Sequence, residues 1–276
     1  MRRKDTLVLS QVSKKREEGE REELALSCYG ETNIGRKRNR NEDSIILIKK
    51  RRCVLAGVFD GMGGMKKGDV ASKLAVKSVN REFKLHRNNA NFIETALKTA
   101  NKEIYEYAKR NSVEGAMGTT GVLAFVSNGK VQFGNVGDSR LYVLHNGKLV
   151  QKTHDHTLVA FQLANGIITE EEAEKSNQKN VLVKALGVKK TVEPEIYPEE
   201  ILQPGDSVLL CSDGLYNMAG KKTMETILNS KSSTKEKVKI LIKTANENGG
   251  EDNISAVLIE AKNFRKKGLF AVFRRR

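Results

Sequence analysis

The stretch Asp43-Ser-Ile-Ile-Leu-Ile-Lys-Lys-Arg-Arg-Cys-Val-Leu-Ala-Gly-Val-Phe-Asp60 holds two short apolar runs rich in β-branched residues. Ser44–Ile48 and Val54–Phe59 flank the basic turn Lys49–Arg52, a pattern that predicts a hairpin. Antiparallel residues pair symmetrically about a turn, so Asp43 and Asp60 are expected side by side at the open end. At ~3.3 Å per residue the basic turn then lies about 20 Å from them, out of reach of a ligand held by Asp60.

Outward from this hairpin, helical spacing of apolar residues predicts helices over Asp69–Leu85 and Asn91–Arg110. Each has one apolar face and covers something with it. A β-meander is predicted next: Thr119–Val126, a turn at Ser127–Lys130, Val131–Val136, a tight Gly137-Asp138-Ser139 turn, Arg140–His145, an Asn146-Gly147 turn, and Lys148–Lys152. Residues 155–180 are polar and partly helical, with a capping box at Thr169–Glu172. Strands near Val181–Leu186, Glu195–Tyr197 and Ser207–Cys211, helices near Thr223–Leu228 and Thr234–Asn248, and a strand over Ile254–Ala261 complete the pattern. Antiparallel strands in two groups with amphipathic helices between them imply an α+β layered sandwich.

The 276 residues suffice for one sizeable core. No apolar run approaches the roughly 18–20 residues that span a bilayer, and the apolar stretch after the basic start is too short for a signal peptide. Cys28, Cys53 and Cys211 are odd in number and lack CxxC spacing, so they read as reduced buried thiols rather than a disulfide or zinc site. The formal charge of +15 is concentrated: residues 36–52 and 262–276 carry 13 of it. Without a basic stripe interleaved with aromatics or a recognisable module, this charge does not predict nucleic-acid binding.

Four aspartates share one context, each close to one end of an apolar run and beside glycine, asparagine or serine: Asp60, Asp138, Asp213 and Asp252. Any one alone is ordinary turn chemistry. Together, at strand ends, they can converge on a hard cation that takes oxygen ligands.

Ordered blocks carry a resemblance. They are Gly35-Arg-Lys-Arg-Asn-Arg-Asn-Glu-Asp-Ser44, Phe59-Asp-Gly-Met-Gly-Gly64 with Gly68-Asp-Val-Ala-Ser72, Gly118-Thr-Thr120, Gly134–Arg140, Asn180–Gly187, Ser212-Asp-Gly-Leu215 and Glu251–Ile254. From about Tyr29 to Ala261 the chain resembles the metal-dependent protein phosphatases (PPM, type 2C), especially compact bacterial members. The resemblance implies a four-layer α-β-β-α sandwich, two antiparallel sheets flanked by helices, with a binuclear metal centre at one end. It implies hydrolysis of phosphoserine and phosphothreonine by a metal-activated hydroxide, opposing a protein kinase. Asp60 would bridge two Mg²⁺ or Mn²⁺ ions, the Gly61 carbonyl would bind one, and Asp213 and Asp252 would complete the other's shell. Asp138 with Asp213 would hold a third, weaker ion. Glu42, Asp43 and Asn253 would stand behind the ligands, with Glu42 and Asp43 ordering waters. Arg38 would hold the phosphate, singled out from Arg36 and Arg40 by its spacing to Asn41-Glu-Asp43.

The chain departs from the family where a histidine commonly follows Asp-Gly-Met-Gly-Gly; here Met65 stands, and a thioether cannot protonate a leaving group. The alternative to an active enzyme is therefore a catalytically weakened sensor or scaffold. Ser176-Asn177 replaces a common His-Pro, and Asp69 replaces a glutamate in a position suited to helix capping. His154-Asp155-His156 reads as a structural junction rather than a second metal site. Residues 1–23 form a charged extension, 24–262 the catalytic domain, and 263–276 a basic tail. The tail's apolar and cationic side chains have the composition to lie on an anionic membrane. The expected protein is a cytoplasmic monomer acting on phosphorylated proteins, with peripheral contact at the inner membrane face as an option.

Overall fold

The computed structural model describes residues 24–51, 53–62 and 67–262. The two terminal segments, and Met65 in the glycine-rich run, lie outside the described residues.

The founding hairpin forms as expected: β2 (Ser44–Lys49) pairs antiparallel with β3 (Cys53–Phe59), with Ser44 opposite Phe59. It belongs to a sheet completed by β6 (Gly121–Ser127), β7 (Lys130–Val136), β10 (Glu195–Ile196) and β11 (Glu200–Ile201). A second sheet runs in the order β1 (Ala25–Asn33), β13 (Ile254–Lys262), β12 (Ser207–Cys211), β8 (Arg140–His145), β9 (Lys148–Gln151). The short pair β4 (Gly61–Met62) and β5 (Gly118–Thr119) stands apart.

Strand side chains alternate between faces, and in β3, β6, β12 and β13 both faces are buried, which explains their near-continuous apolar runs. From β3, Leu55 and Phe59 face the helices α1 (Gly68–His86) and α2 (Phe92–Arg110), meeting Ala75, Val79, Leu97 and Ile104. Val54, Ala56 and Val58 face the other sheet, meeting Val208, Leu210, Val257 and Ile259. On that sheet's outer side, Leu209, Cys211 and Leu258 pack on α5 (Asp213–Ala219), α6 (Lys221–Asn229) and α7 (Thr234–Glu247). Three cores between four layers give the α-β-β-α sandwich. All three cysteines are free, as expected, but only Cys211 is buried; Cys28 and Cys53 are partly exposed, contrary to the expectation of three buried thiols.

The outer helix α7 is bolted to β13 by a buried ion pair. Lys237 Nζ donates to Glu260 Oε1 at 2.7 Å and to the Leu228 carbonyl at 2.6 Å, and Thr234 also donates to Glu260. Removing Lys237 leaves the buried Glu260 charge with only the Thr234 hydroxyl and a longer contact to Lys262 at 3.4 Å. Lys237→Met is expected to lower the urea-unfolding free energy by about 3–5 kcal/mol. Lys237→Met with Glu260→Leu should recover most of that loss; equal losses in both variants would refute the account.

Three expected strand patterns change. The meander is not continuous: β7 and β8 lie in different sheets, and the chain crosses between them at Gly137-Asp138-Ser139. Gly137 has φ +100°, and a Cβ there would sit 2.7 Å from the Thr120 side chain, so glycine permits the crossing. Residues 181–186 are not a strand. Their backbone is divided between His156 and Leu158 on one side and Thr119 on the other, which prevents a ladder. The expected strand from Thr119 breaks at Thr120 into β5 and β6, because Thr120 turns to the Asp60 backbone instead.

Two short helices follow β9: α3 (Leu158–Ala164) and α4 (Glu170–Lys175), the latter with the expected Thr169–Glu172 capping box. Asp69 forms no side-chain cap on α1; its carboxylate takes Lys73 at 2.8 Å and Arg40 at 3.5 Å instead.

Candidate metal and phosphate site

The open end of the hairpin and the matching end of the second sheet bring the aspartates together. Cys211, the last residue of β12, pairs with Ala256 on one side and Arg140 on the other. Asp213, Asp252 and Asp138 therefore follow or precede neighbouring strand ends, facing Asp43 and Asp60 across the sandwich.

Asp43 ties the two sheets. Its Oδ2 accepts from Ser212 Oγ at 2.8 Å and Ser255 Oγ at 2.7 Å, while its buried Oδ1 has no donor. Ser212 occupies the N-cap of α5 but spends its hydroxyl on Asp43, leaving no side-chain cap. Asp213 is the first residue of α5, an acid in the turn where the helix dipole favours it, and its Oδ1 also lacks a donor.

Asp60 is held by its backbone, which leaves its carboxylate available. Its N–H donates to Thr120 Oγ1 at 2.9 Å, and its carbonyl accepts from Thr119 Oγ1 and Thr120 N–H, both at 2.8 Å. Gly61 follows where a Cβ would meet the carbonyls of Gly68 and Glu42 at 2.4 and 2.5 Å. Only glycine fits that crossing. Asn253 accepts from Glu42 N–H at 2.8 Å and donates to the carbonyls of Ile34 and Arg40.

Burial and mutual repulsion raise the carboxylate pKa values. Burial, with the charges of Asp213 and Asp252 behind it, pushes Asp43 up to about 7 against the pull of two serines. Burial pushes Asp138 up to about 7, with Asp213 and Asp155 adding to it. Asp213 rises to about 6 through burial and Asp252. Asp60 is raised well above the ordinary value by burial, then by Asp43, Asp213, Asp138 and Asp252. For Glu42, burial and then Asp69 raise the value.

Arg38 is half exposed and donates to Asp252 Oδ2 at 2.7 Å. Burial works against its charge, but Asp252, Asp60 and Asp213 keep it protonated. Among the described residues no three His, Cys, Asp or Glu side chains have closed into a coordination sphere. Of the carboxylates, Asp252 takes Arg38 and its neighbour's N–H.

Sequence reasoning did not find the support behind Asp138. His156 Nδ1 accepts from Gly137 N–H at 3.1 Å, and Nε2 lies 3.0 Å from Glu195, which also takes His154 at 2.8 Å. Accepting at Nδ1 fixes the neutral tautomer with its proton on Nε2. Burial pushes His156 below the usual imidazole value, against the pull of Glu195. The two histidines bracket one carboxylate, as a structural junction would. His156→Phe keeps the ring but deprives Gly137 and Glu195 of a partner; about 1–3 kcal/mol of stability should be lost in urea unfolding. An unchanged midpoint would remove His156 from this role.

A two-sheet sandwich flanked by helices, with acidic groups from both sheets gathered at one end, is the architecture shared with protein serine/threonine phosphatases. Residues 30–258 match the family described as Protein phosphatase 2C, and the chain belongs to that family. It is 40% identical over 244 residues, 86% of this chain and 96% of the relative, to the serine/threonine phosphatase stp of Listeria innocua. The Streptococcus agalactiae serine/threonine phosphatase structure superposes with a TM-score of 0.79 at 31% identity, covering 86% of this chain and all of that one. The catalytic domain of the phosphatase PstP, solved with two manganese ions, gives 0.76 at 29% identity, covering 87% of this chain and all of that one. The activity is that of a protein serine/threonine phosphatase, with phosphorylated proteins as substrates.

Proposed function

We propose that this phosphatase is Mg²⁺- or Mn²⁺-dependent, with Asp60, the Gly61 carbonyl, Asp213 and Asp252 holding two cations and Asp138 with Asp213 a third, weaker one. What carries this reading is the gathering of carboxylates that repel one another, two of them with a buried oxygen, Asp43 Oδ1 and Asp213 Oδ1, that has no donor. An all-oxygen donor set of this kind fits hard divalent cations. Such cations, when bound, supply Lewis-acid charge to phosphoryl oxygens and lower the pKa of water toward neutrality.

The chain's own residues do the rest. Thr119 and Thr120 hold the Asp60 backbone, and Ser212 and Ser255 hold Asp43, so the carboxylates are oriented before substrate arrives. Arg38 already grips one anion, Asp252; its planar fork offers a phosphate the same paired geometry. It therefore exchanges carboxylate for phosphate as the substrate seats. Glu42 and Asp43 stand behind the ligands, with Asn253 tying the Glu42 segment in place. The scaffold alternative rests on Met65, outside the described residues, and a scaffold would not need this carboxylate set.

The enzyme is read as opposing a serine/threonine kinase in the cytoplasm; no described helix is long and apolar enough to cross a membrane. The test is hydrolysis of p-nitrophenyl phosphate and a phosphothreonine peptide with Mn²⁺, before and after chelation. Activity should vanish on chelation and return with metal. Arg38→Ala should raise KM about 10- to 100-fold, the worth of a hydrogen bond to a charged group. Full turnover in exhaustively chelated protein would sink the proposal.

A further inference from the structure

We propose that the segment Gly35–Arg40 is a docking rim for acidic residues beside the phosphorylated side chain, which makes acidic phosphopeptides the preferred substrates. The inference rests on the reaction centre proposed above and names the substrate class of that same site.

Four cations, Arg36, Lys37, Arg38 and Arg40, stand exposed within five residues. Their backbone is bolted to the edge of the aspartate cluster. Arg36 and Lys37 N–H donate to the Gly250 carbonyl at 2.7 and 3.2 Å. Asn253 Nδ2 holds the carbonyls of Ile34 and Arg40 at 2.8 and 3.0 Å. Gly35, at φ +81°, lies so close to the Asp252 carbonyl that a Cβ would come within 2.2 Å. The rim is thus fixed through its main chain, and its side chains are spare.

Two of them are spent locally: Arg38 on Asp252 and, weakly, Arg40 on Asp69 at 3.5 Å. Arg36 and Lys37 make no ion pair among the described residues, and neither does Glu251, next to the anchoring carbonyl. Like charges this close repel, and among the described residues no hydrogen bond uses either side chain. The basic turn of the hairpin lies at the far end of β2 and β3, away from the rim.

A bound peptide rises ~3.3 Å per residue when extended. With its phosphate on Arg38, residues one or two positions away fall within the span of Arg36, Lys37 and Arg40. Aspartate or glutamate there gains attraction, and lysine is repelled.

The test compares three phosphothreonine peptides of equal length, with Asp/Glu, Ala or Lys flanks, on the full chain with Mn²⁺. Wild type and the double variant R36E/K37E are assayed, with p-nitrophenyl phosphate in parallel. Wild type should favour the acidic over the neutral peptide by about three- to tenfold in kcat/KM, mostly through KM. The preference should collapse in about 0.5 M salt, where screening acts within roughly 4 Å. R36E/K37E should erase or invert it. The backbone anchors survive in that variant because they are N–H groups. Equal rates on all three peptides, or the same ranking in wild type and variant, overturn the proposal. Hydrolysis of p-nitrophenyl phosphate without a peptide ranking overturns the rim alone. Loss of metal-dependent hydrolysis of that flank-free ester in wild type overturns the reaction centre beneath it as well.

Discussion

Asp213→Asn should reduce phosphatase turnover by more than about 100-fold while leaving the metal-free protein at least as stable as wild type. Removing a hydrogen bond that merely supports a metal ligand costs about 10- to 100-fold, and a ligand itself should cost more. Asp213 is proposed to serve both the main centre and the third ion, so no neighbouring carboxylate can stand in for it. The stability half follows from its surroundings. Burial and Asp252 push Asp213 up to about 6, and its buried Oδ1 has no donor. At neutral pH its charge therefore works against the fold, and an amide of the same shape removes that cost. In chelator, Tm should hold or rise; with Mn²⁺, the stabilisation seen in wild type should shrink, because ligand binding to the folded state is what raises it. A variant that keeps metal-dependent turnover, or gains as much Tm from Mn²⁺ as wild type, would remove Asp213 from the centre.

The metal-stripped protein should lose stability as pH rises from about 6 to about 8. Asp43 and Asp138 are pushed up to about 7 and Asp213 to about 6, each by burial first, and Asp60 well above its ordinary value by burial and four neighbouring aspartates. In the unfolded chain these groups titrate near 3.9. Across this interval the folded state binds protons that the unfolded chain has released, so stability falls with pH. Once pH exceeds the highest folded value the penalty is complete. His156, lowered chiefly by burial, acts in the opposite sense, since the folded protein resists charging it as pH drops below the usual imidazole range. That opposing effect sets in as pH falls through about 6.5, so it acts only at the low end of the window. A domain of this size moves roughly 2–4 °C per kcal/mol, so a fall of roughly 5 °C or more is expected in chelator. With Mn²⁺ the slope should reverse, because cation and protons compete for the same oxygens. A flat or rising Tm in chelator would show that the carboxylates do not repel as described.

The failures of local reading have one origin. Gly137-Asp138-Ser139 looks like a tight hairpin turn, yet β8 leaves β7 to pair with β12, some seventy residues along the chain. Val181–Leu186 has strand composition, but its hydrogen bonds are claimed by two different partners. The helix at Asp213 is a single apolar-and-polar heptapeptide, too short for periodicity to declare it. His156 supports the Asp138 turn through Gly137 across 19 residues and leans on Glu195 across 39 more. No local pattern encodes such a partnership.

What the sequence determined alone is what depends on near neighbours: the β2–β3 register, the amphipathic faces of α1 and α2, the capping box of α4, and the ordered blocks that mark the family. Side-chain period and turn chemistry act over a few residues, so they survive in a linear reading. The tertiary structure alone decided which strand ends meet. It set Asp43 between Ser212 and Ser255, and it turned Arg38, rather than its equally charged neighbours, onto Asp252. Charges raise one another's pKa, and a guanidinium finds its anion, through space; only the folded chain fixes that distance.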